Sequence, residues 1–294
     1  MTRPSQEKQP GTGRLRADAV TLGYDARVIS TGLTVDIPDS AFTVIVGPNA
    51  CGKSTLLRAL ARMLNPTSGA VLLDGREISS YPSKEVARRL GLLPQSSTAP
   101  DGITVADLVA RGRYPHQRLL RQWSRTDEQV VAEALAATGV DDLADRPVDE
   151  LSGGQRQRVW LAMALAQQTP ILLLDEPTTF LDIAHQIEML DLCADLHAQQ
   201  GRTLVAVLHD LNHACRYATH LIAMRAGTVV AVGQPSQIVT AELVEDVFGL
   251  ACRVIEDPET GTPLIIPLAR AALRSPELHH PDAPPAVPTL QGAT

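Results

Sequence analysis

Aromatic residues are scarce in this chain: Phe, Trp and Tyr together make up 3% of its 294 positions. Any core must therefore be filled by Leu, Val, Ile and Ala. The sequence also lacks an apolar run of the about 18 residues that a membrane-spanning helix needs. Its first residues, Met1–Gly13, are polar and carry no apolar core of a secretory signal. The expectation is a chain that neither spans a membrane nor enters the secretory route, and that would reach a membrane only through partners. The four cysteines, Cys51, Cys193, Cys215 and Cys252, lie far apart and form no CxxC pair. That spacing excludes a disulfide framework and a zinc site and points to a reducing cytoplasm. Positive charge is not in excess either. Lys and Arg number 26 against 33 Asp and Glu, a net charge of −7, which argues against a nucleic-acid partner.

What is present is ordinary for a globular protein, with 44% hydrophobic and 20% charged residues. Residues 1–13 are rich in Pro, Gly, Gln and charge, and residues 271–294 carry Pro281, Pro284, Pro285 and Pro288 among Ala and His. Both read as disordered. Residues 14–270 between them read as one structural unit. Short apolar runs at Thr43–Val46, Ile171–Leu174, Thr203–Leu208 and His220–Met224 suit buried strands, and each alternates with a helical pattern. This predicts an α/β fold with a parallel sheet covered by helices. Ile183, Ile187, Leu190 and Ala194 are spaced to share one helix face. Arg225, Ala226 and Gly227 read as the turn of a hairpin between Leu221–Met224 and Thr228–Val232. The segment 96–168 is predominantly helical in pattern and reads as a subdomain inserted into the sheet domain. Within it, Thr126 and Gln129 suggest a capping box opening a helix that stops near Gly139.

Two segments carry chemistry. Gly47, Pro48, Asn49, Ala50, Cys51, Gly52, Lys53 and Ser54 match GxxxxGK[ST], after a strand and before a helical run that starts at Thr55. In such a loop the glycines allow successive N–H groups to converge on phosphates. Lys53 neutralises β- and γ-phosphate charge, Ser54 ligates Mg²⁺, and the helix N-terminus adds its dipole. The second segment is Ile171–Leu174 followed by Asp175 and Glu176, where two carboxylates emerge at the carboxyl edge of a buried strand. Asp175 suits a Mg²⁺ ligand through water, and Glu176 suits the general base that polarises the attacking water.

Leu151, Ser152, Gly153, Gly154 and Gln155 precede another helical run, to Gln168. A hydroxyl and bare N–H groups at a helix start make a second anion-binding device. One chain has no need of two such devices on one γ-phosphate, so this one reads as serving the ATP of a second copy.

With these segments the sequence resembles the ATP-binding-cassette (ABC) ATPases over about residues 14–260. The resemblance implies a P-loop NTPase fold with a mainly parallel core sheet, an antiparallel β subdomain and an inserted helical subdomain. It implies that Ser152, Gly153, Gly154 and Gln155 are the family signature. It implies further that Gln95 is the glutamine that senses Mg²⁺ and contacts the membrane subunit. Asp182, after Leu181, is similar to the aspartate that crosses the dimer interface, and His209 to the histidine on the γ-phosphate. Tyr24 is placed like the aromatic that stacks on adenine. Lys53, Gln95, Glu176 and His209 are then the catalytic set. Residues Gly47–Thr55, Ser152–Gln155, Tyr24 and Asp182 bind nucleotide, and Ser54, Gln95 and Asp175 hold the metal. ATP and Mg²⁺ are the cofactors. Phe180 departs from the small residues many relatives carry there. Cys51, inside a positive loop field, is expected to have a lowered thiol pKa and to react with alkylating reagents.

Glu176→Gln is expected to bind ATP without turning it over. The stretches Gly47–Ser68, Arg111–His116, His209–Ala214 and Asp257–Pro263 are similar to the iron(III)-siderophore, haem and cobalamin importer ATPases, the last stretch to the ferric enterobactin-like members. The resemblance implies a homodimer at the cytoplasmic face of the plasma membrane. Its partners would be polytopic permease subunits on separate chains and, indirectly, a solute-binding protein. Haem, cobalamin or an exporter role stay open as alternatives. Arg111, Arg113 and Tyr114 are candidates for contact with the permease. The spacing of His116, His185, His197, His213 and His220 does not suit direct iron binding.

Overall fold

The computed structural model describes residues 13–269, except 26, 96–97, 118–122 and 180. The disorder expected for 1–13 and 271–294 falls, but for Gly13, outside the described residues, as does the departure at Phe180. The strands in chain order are β1 Leu15–Tyr24, β2 Arg27–Ile37, β3 Phe42–Val46, β4 Ser68–Leu73, β5 Arg76–Glu77, β6 Leu90–Leu93, β7 Ile171–Asp175, β8 Thr203–Val207, β9 His220–Arg225, β10 Thr228–Gly233, β11 Cys252–Glu256 and β12 Pro263–Pro267. The helices are α1 Lys53–Leu60, α2 Ser83–Val86, α3 Val105–Ala110, α4 Arg125–Ala137, α5 Gly153–Ala166, α6 Ile183–Gln200, α7 Leu211–Tyr217, α8 Pro235–Ile238 and α9 Ala241–Phe248.

A six-stranded sheet in the order β10-β9-β3-β8-β7-β6 forms the centre. All of its pairs are parallel except β10 on β9. Strands β3, β7 and β8 are buried along their whole length, which is why they read as unbroken apolar runs rather than alternating ones. Alternate residues still serve different faces. Val44, Val46, Leu172 and Leu174 pack with the helical segment, and Ile45, Leu173, Val205 and Val207 pack on α1. Leu56, Leu57 and Leu60 of α1 in turn meet the inner face of an antiparallel sheet, order β2-β1-β4-β5. Helix α1 is thus sandwiched between two sheets, and its N-terminus is held at one fixed edge. The register Ile45 to Val207 and Asp175 to Val207 brings the carboxyl ends of β3, β7 and β8 level. Everything that follows those strands therefore emerges on one side.

The hairpin between β9 and β10 has the turn read from the sequence, with Ala226 and Gly227 at φ of +47° and +81°. Both positive values suit the turn that matches strand twist. Two local expectations need correction. The capping box of α4 is Ser124 with Asp127, not Thr126 with Gln129: Ser124 Oγ accepts from Asp127 N, and Ser124 N donates back to Asp127 Oδ2. Both pairs satisfy the same spacing rule, and the earlier one starts the helix. On α6, Ile183 is 77% exposed, and the buried face carries Met189, Leu190, Cys193 and Leu196. Ile183 sits in the first turn, before the helix reaches the core.

Arg113 is also corrected. It is 4% exposed, and its guanidinium donates to Asp127 Oδ1 at 2.8 Å, to Ala166 O at 2.7 Å and to Gln168 Oε1 at 2.9 Å. It ties α4 to the end of α5 and offers no surface to a partner. Tyr114 is exposed and Arg111 half-buried. Burial works against the Asp127 carboxylate, but hydrogen bonds from Ser124 and Arg113 hold its pKa below the usual value. A carboxylate whose folded pKa is depressed adds stability above its unfolded pKa and loses it as pH falls through the folded one. Arg113→Ala should cost about 3 kcal/mol in urea unfolding at neutral pH, because the buried acid loses its partner. The difference from wild type should shrink as pH falls from the ordinary carboxylate range through the depressed folded pKa of Asp127, where the acid protonates.

Candidate functional site

The loop between β3 and α1 is shaped by two glycines. Gly47 has φ +154°, and a Cβ there would lie 2.2 Å from Met224 O. Gly52, at φ +106°, caps α1 in the left-handed region. Only glycine satisfies both constraints. Lys53, 5% exposed, folds back so that Nζ donates to Gly47 O at 2.9 Å and Pro48 O at 3.0 Å. Its ammonium therefore sits inside the ring of the loop, where a phosphate could take over those contacts.

Across the loop stands the end of β7. Asp175 is 2% exposed, and its Oδ1 has no hydrogen-bond partner. Burial pushes its pKa up, opposed by a hydrogen bond from Ser54 and by Arg58, whose Nε lies 3.8 Å from Oδ2. Glu176 follows at φ +54°, a conformation that costs a non-glycine residue about 1–3 kcal/mol. Its carboxylate is held from three sides. His209 Nε2 faces Oε1 at 2.7 Å, Gln95 Nε2 donates to Oε2 at 2.7 Å, and Thr179 Oγ1 donates to Oε2 at 3.1 Å. A carboxylate only accepts, so His209 carries its proton on Nε2 in this arrangement. Three loops from β6, β7 and β8 thus converge on one acid.

Asn49, Ala50, Gly52, Lys53, Ser54, Thr55, Gln95, Glu176 and His209 line a cleft of about 520 Å³, within the range of small-molecule sites. Arg27 and Ile29 of β2 complete its wall. Neither stood out in the sequence, since a strand Arg and Ile carry no motif. Tyr24 is not on that wall. It is 42% exposed, and its hydroxyl accepts from Arg58 Nη1 at 3.3 Å. The thiol of Cys51 departs from expectation: the residue is 4% exposed, and burial raises its pKa despite the opposing pull of Lys53. The shift is therefore opposite to the lowering expected from the loop field, because desolvation outweighs it.

Ser152–Gln155 lie outside this cleft. Ser152 caps α5, accepting from Gln155 N, while Gln155 Oε1 accepts from Ser152 N, and Ser152, Gly153 and Gln155 are exposed. Asp182 caps α6, accepting from His185 N at 3.0 Å and facing His185 Nδ1 at 2.7 Å. These two bonds hold its carboxyl below the usual range.

A GxxxxGK[ST] loop facing an acid pair at the carboxyl edge of a mainly parallel sheet defines a nucleotide hydrolase of the P-loop class. The family model described as ABC transporter matches residues 30–179. The ferric enterobactin transport ATP-binding protein of Escherichia coli (strain K12) is 60% identical over 259 residues, covering 88% of this chain and 96% of that one. A probable siderophore transport system ATP-binding protein of Bacillus subtilis (strain 168) is 54% identical over 260 residues, covering 88% and 94%. Among solved structures, a metal-chelate type ABC transporter in an inward-facing conformation superposes with a TM-score of 0.75 at 29% identity, covering 88% of this chain and 99% of that one. A dimeric ATP-binding cassette bound to ADP and Pi gives 0.66 at 26% identity, covering 75% and 98%. The chain belongs to the ABC transporter family, as one of its ATP-binding, ATP-hydrolysing subunits.

Proposed function

We propose that this chain energises import of an iron(III)-siderophore complex, as a homodimer at the cytoplasmic face of the membrane. It works with polytopic permease subunits on separate chains, and a solute-binding protein delivers the cargo. The observation that carries the cargo is the 60% identity to the ferric enterobactin transport protein over nearly the full length of both chains. Among the described residues no helix is long and apolar enough to cross a membrane, which suits a subunit that relies on separate permeases.

In this reading the phosphate loop Gly47–Thr55 holds the triphosphate, with Lys53 turning from the loop carbonyls to the β- and γ-phosphates. The orphaned, buried Oδ1 of Asp175 and the hydroxyl of Ser54 form a hard-oxygen set that fits Mg²⁺, with Gln95 as a further ligand. Bound there, the ion would neutralise charge on the phosphate oxygens. Glu176 orients and deprotonates the attacking water. His209 holds Glu176 and the γ-phosphate in register. Tyr24 serves the adenine, and it has to move toward the cleft to do so. Ser152–Gln155 and Asp182, exposed and away from the cleft of their own chain, meet the nucleotide of the second copy.

Deleting the chain in its host and measuring uptake of radioactive iron, given as several ferric siderophores, tests the cargo. The expected result is loss of one or a few siderophore classes, restored by the wild-type chain and not by Lys53→Ala. Unchanged uptake of all of them, with paralogous ATPases removed, would overturn the siderophore reading and turn the search to haem or cobalamin.

A further inference from the structure

The His209 side chain is 45% exposed, and its polar contact is the one that Nε2 makes with Glu176 Oε1 at 2.7 Å. Its place depends on the chain that follows, where Asp210 caps the short helix α7 by accepting from His213 N at 2.8 Å. From the first turn of α7, Asn212 reaches out to the C-terminal hairpin. Its Nδ2 donates to Ile265 O at 3.2 Å, and its Oδ1 accepts from Ile265 N at 2.7 Å. The amide thus acts as a strand neighbour to the middle residue of β12.

The sequence of β12 makes this contact singular. Strand β12 pairs with β11 on one edge, with Leu264 opposite Ile255 and Ile266 opposite Arg253. Residues 263, 265 and 267 turn their main-chain groups to the other edge. Pro263 and Pro267 have no N–H, so Ile265 supplies the outward donor of that edge, and Asn212 takes it. Ile265 itself is 5% exposed and belongs to the main core. The hairpin is therefore anchored in the core and bonded to α7 three residues after His209.

We infer that Asn212 is a positioning residue for ATP hydrolysis, through which the β11–β12 hairpin sets the entry of α7 and hence the reach of His209 to Glu176. Asn212 does not line the cleft and acts through His209. The inference rests on the proposed role of His209 at the γ-phosphate.

The test is a double-mutant cycle on the full-length chain, read by release of radiolabelled phosphate from ATP. Asn212→Ala should lower kcat about tenfold to a hundredfold, the effect of a misplaced catalytic group, with KM for ATP unchanged. In a His209→Ala background the same change should have no further effect. Asn212→Asp keeps the acceptor for Ile265 N–H and should retain more activity than the alanine variant, which also covers poor folding of the latter. An unchanged kcat in Asn212→Ala, a rise in KM alone, or an equal loss in both backgrounds would overturn the inference. Full activity of His209→Ala would instead overturn the role given to His209.

Discussion

Glu176→Gln should lower the turnover of ATP about 10²–10⁴-fold, the range spanned by general-base catalysis, while ATP still binds. The geometry makes this a sharp test. Three donors converge on the Glu176 carboxylate, at 2.7, 2.7 and 3.1 Å, in a strained backbone conformation at φ +54°. The amide is nearly the same shape and keeps Oε1 as an acceptor for His209, while its NH2 is met by Thr179 Oγ1, which can accept, and by Gln95, whose amide can turn its oxygen inward. What it loses is the capacity to take a proton from water. The phosphate loop, a separate element after β3, is untouched, so equilibrium binding of a fluorescent ATP analogue should match wild type. Turnover within tenfold of wild type would remove Glu176 from the role of base.

Lys53→Ala should instead weaken the affinity itself. The ammonium is buried within the loop at 2.9 and 3.0 Å from two main-chain carbonyls, which aligns it with the phosphate path. Truncating one partner of a buried, hydrogen-bonded charge pair costs about 2–5 kcal/mol of affinity. The expected weakening of ATP binding is therefore about 10²–10³-fold, measured by calorimetric titration with Mg-ATP. The fold should survive, because Leu56, Leu57 and Leu60 anchor α1 between the two sheets independently of Lys53. The two variants separate binding from chemistry: one binds normally and turns over slowly, and the other binds weakly.

Much of this site was legible because its chemistry is written in short local segments. Gly47 and Gly52 are required by backbone angles, and the apolar run ending in Asp175 and Glu176 is required by a buried strand reaching its carboxyl edge. His209 and Gln95 end the neighbouring runs, so the sheet order brings them together. Properties that depend on burial were not legible. Arg113 sits among basic residues that read as surface, yet Asp127 lies 14 positions later on α4 and swallows its charge. Cys51 lies in a positive loop, yet its 4% exposure reverses the direction of its pKa shift. Arg27 and Ile29 reach the cleft only because β2 crosses it, and the face of α6 is decided by where the core lies rather than by Ile183. The bond between Asn212 and Ile265 joins residues 53 positions apart through one amide. No periodicity encodes it.

In the proposed dimer one ATP is shared by two copies, with Gly47–Thr55 of one chain meeting Ser152–Gln155 of the other. Light scattering after size exclusion of the Glu176→Gln chain, with and without Mg-ATP, tests this most directly. The expected result is a particle of one 31.5 kDa chain without nucleotide, twice that mass with it, and no dimer when Ser152→Arg is added. A chain that binds Mg-ATP and stays at the mass of one copy, or a dimer indifferent to Ser152→Arg, would contradict it.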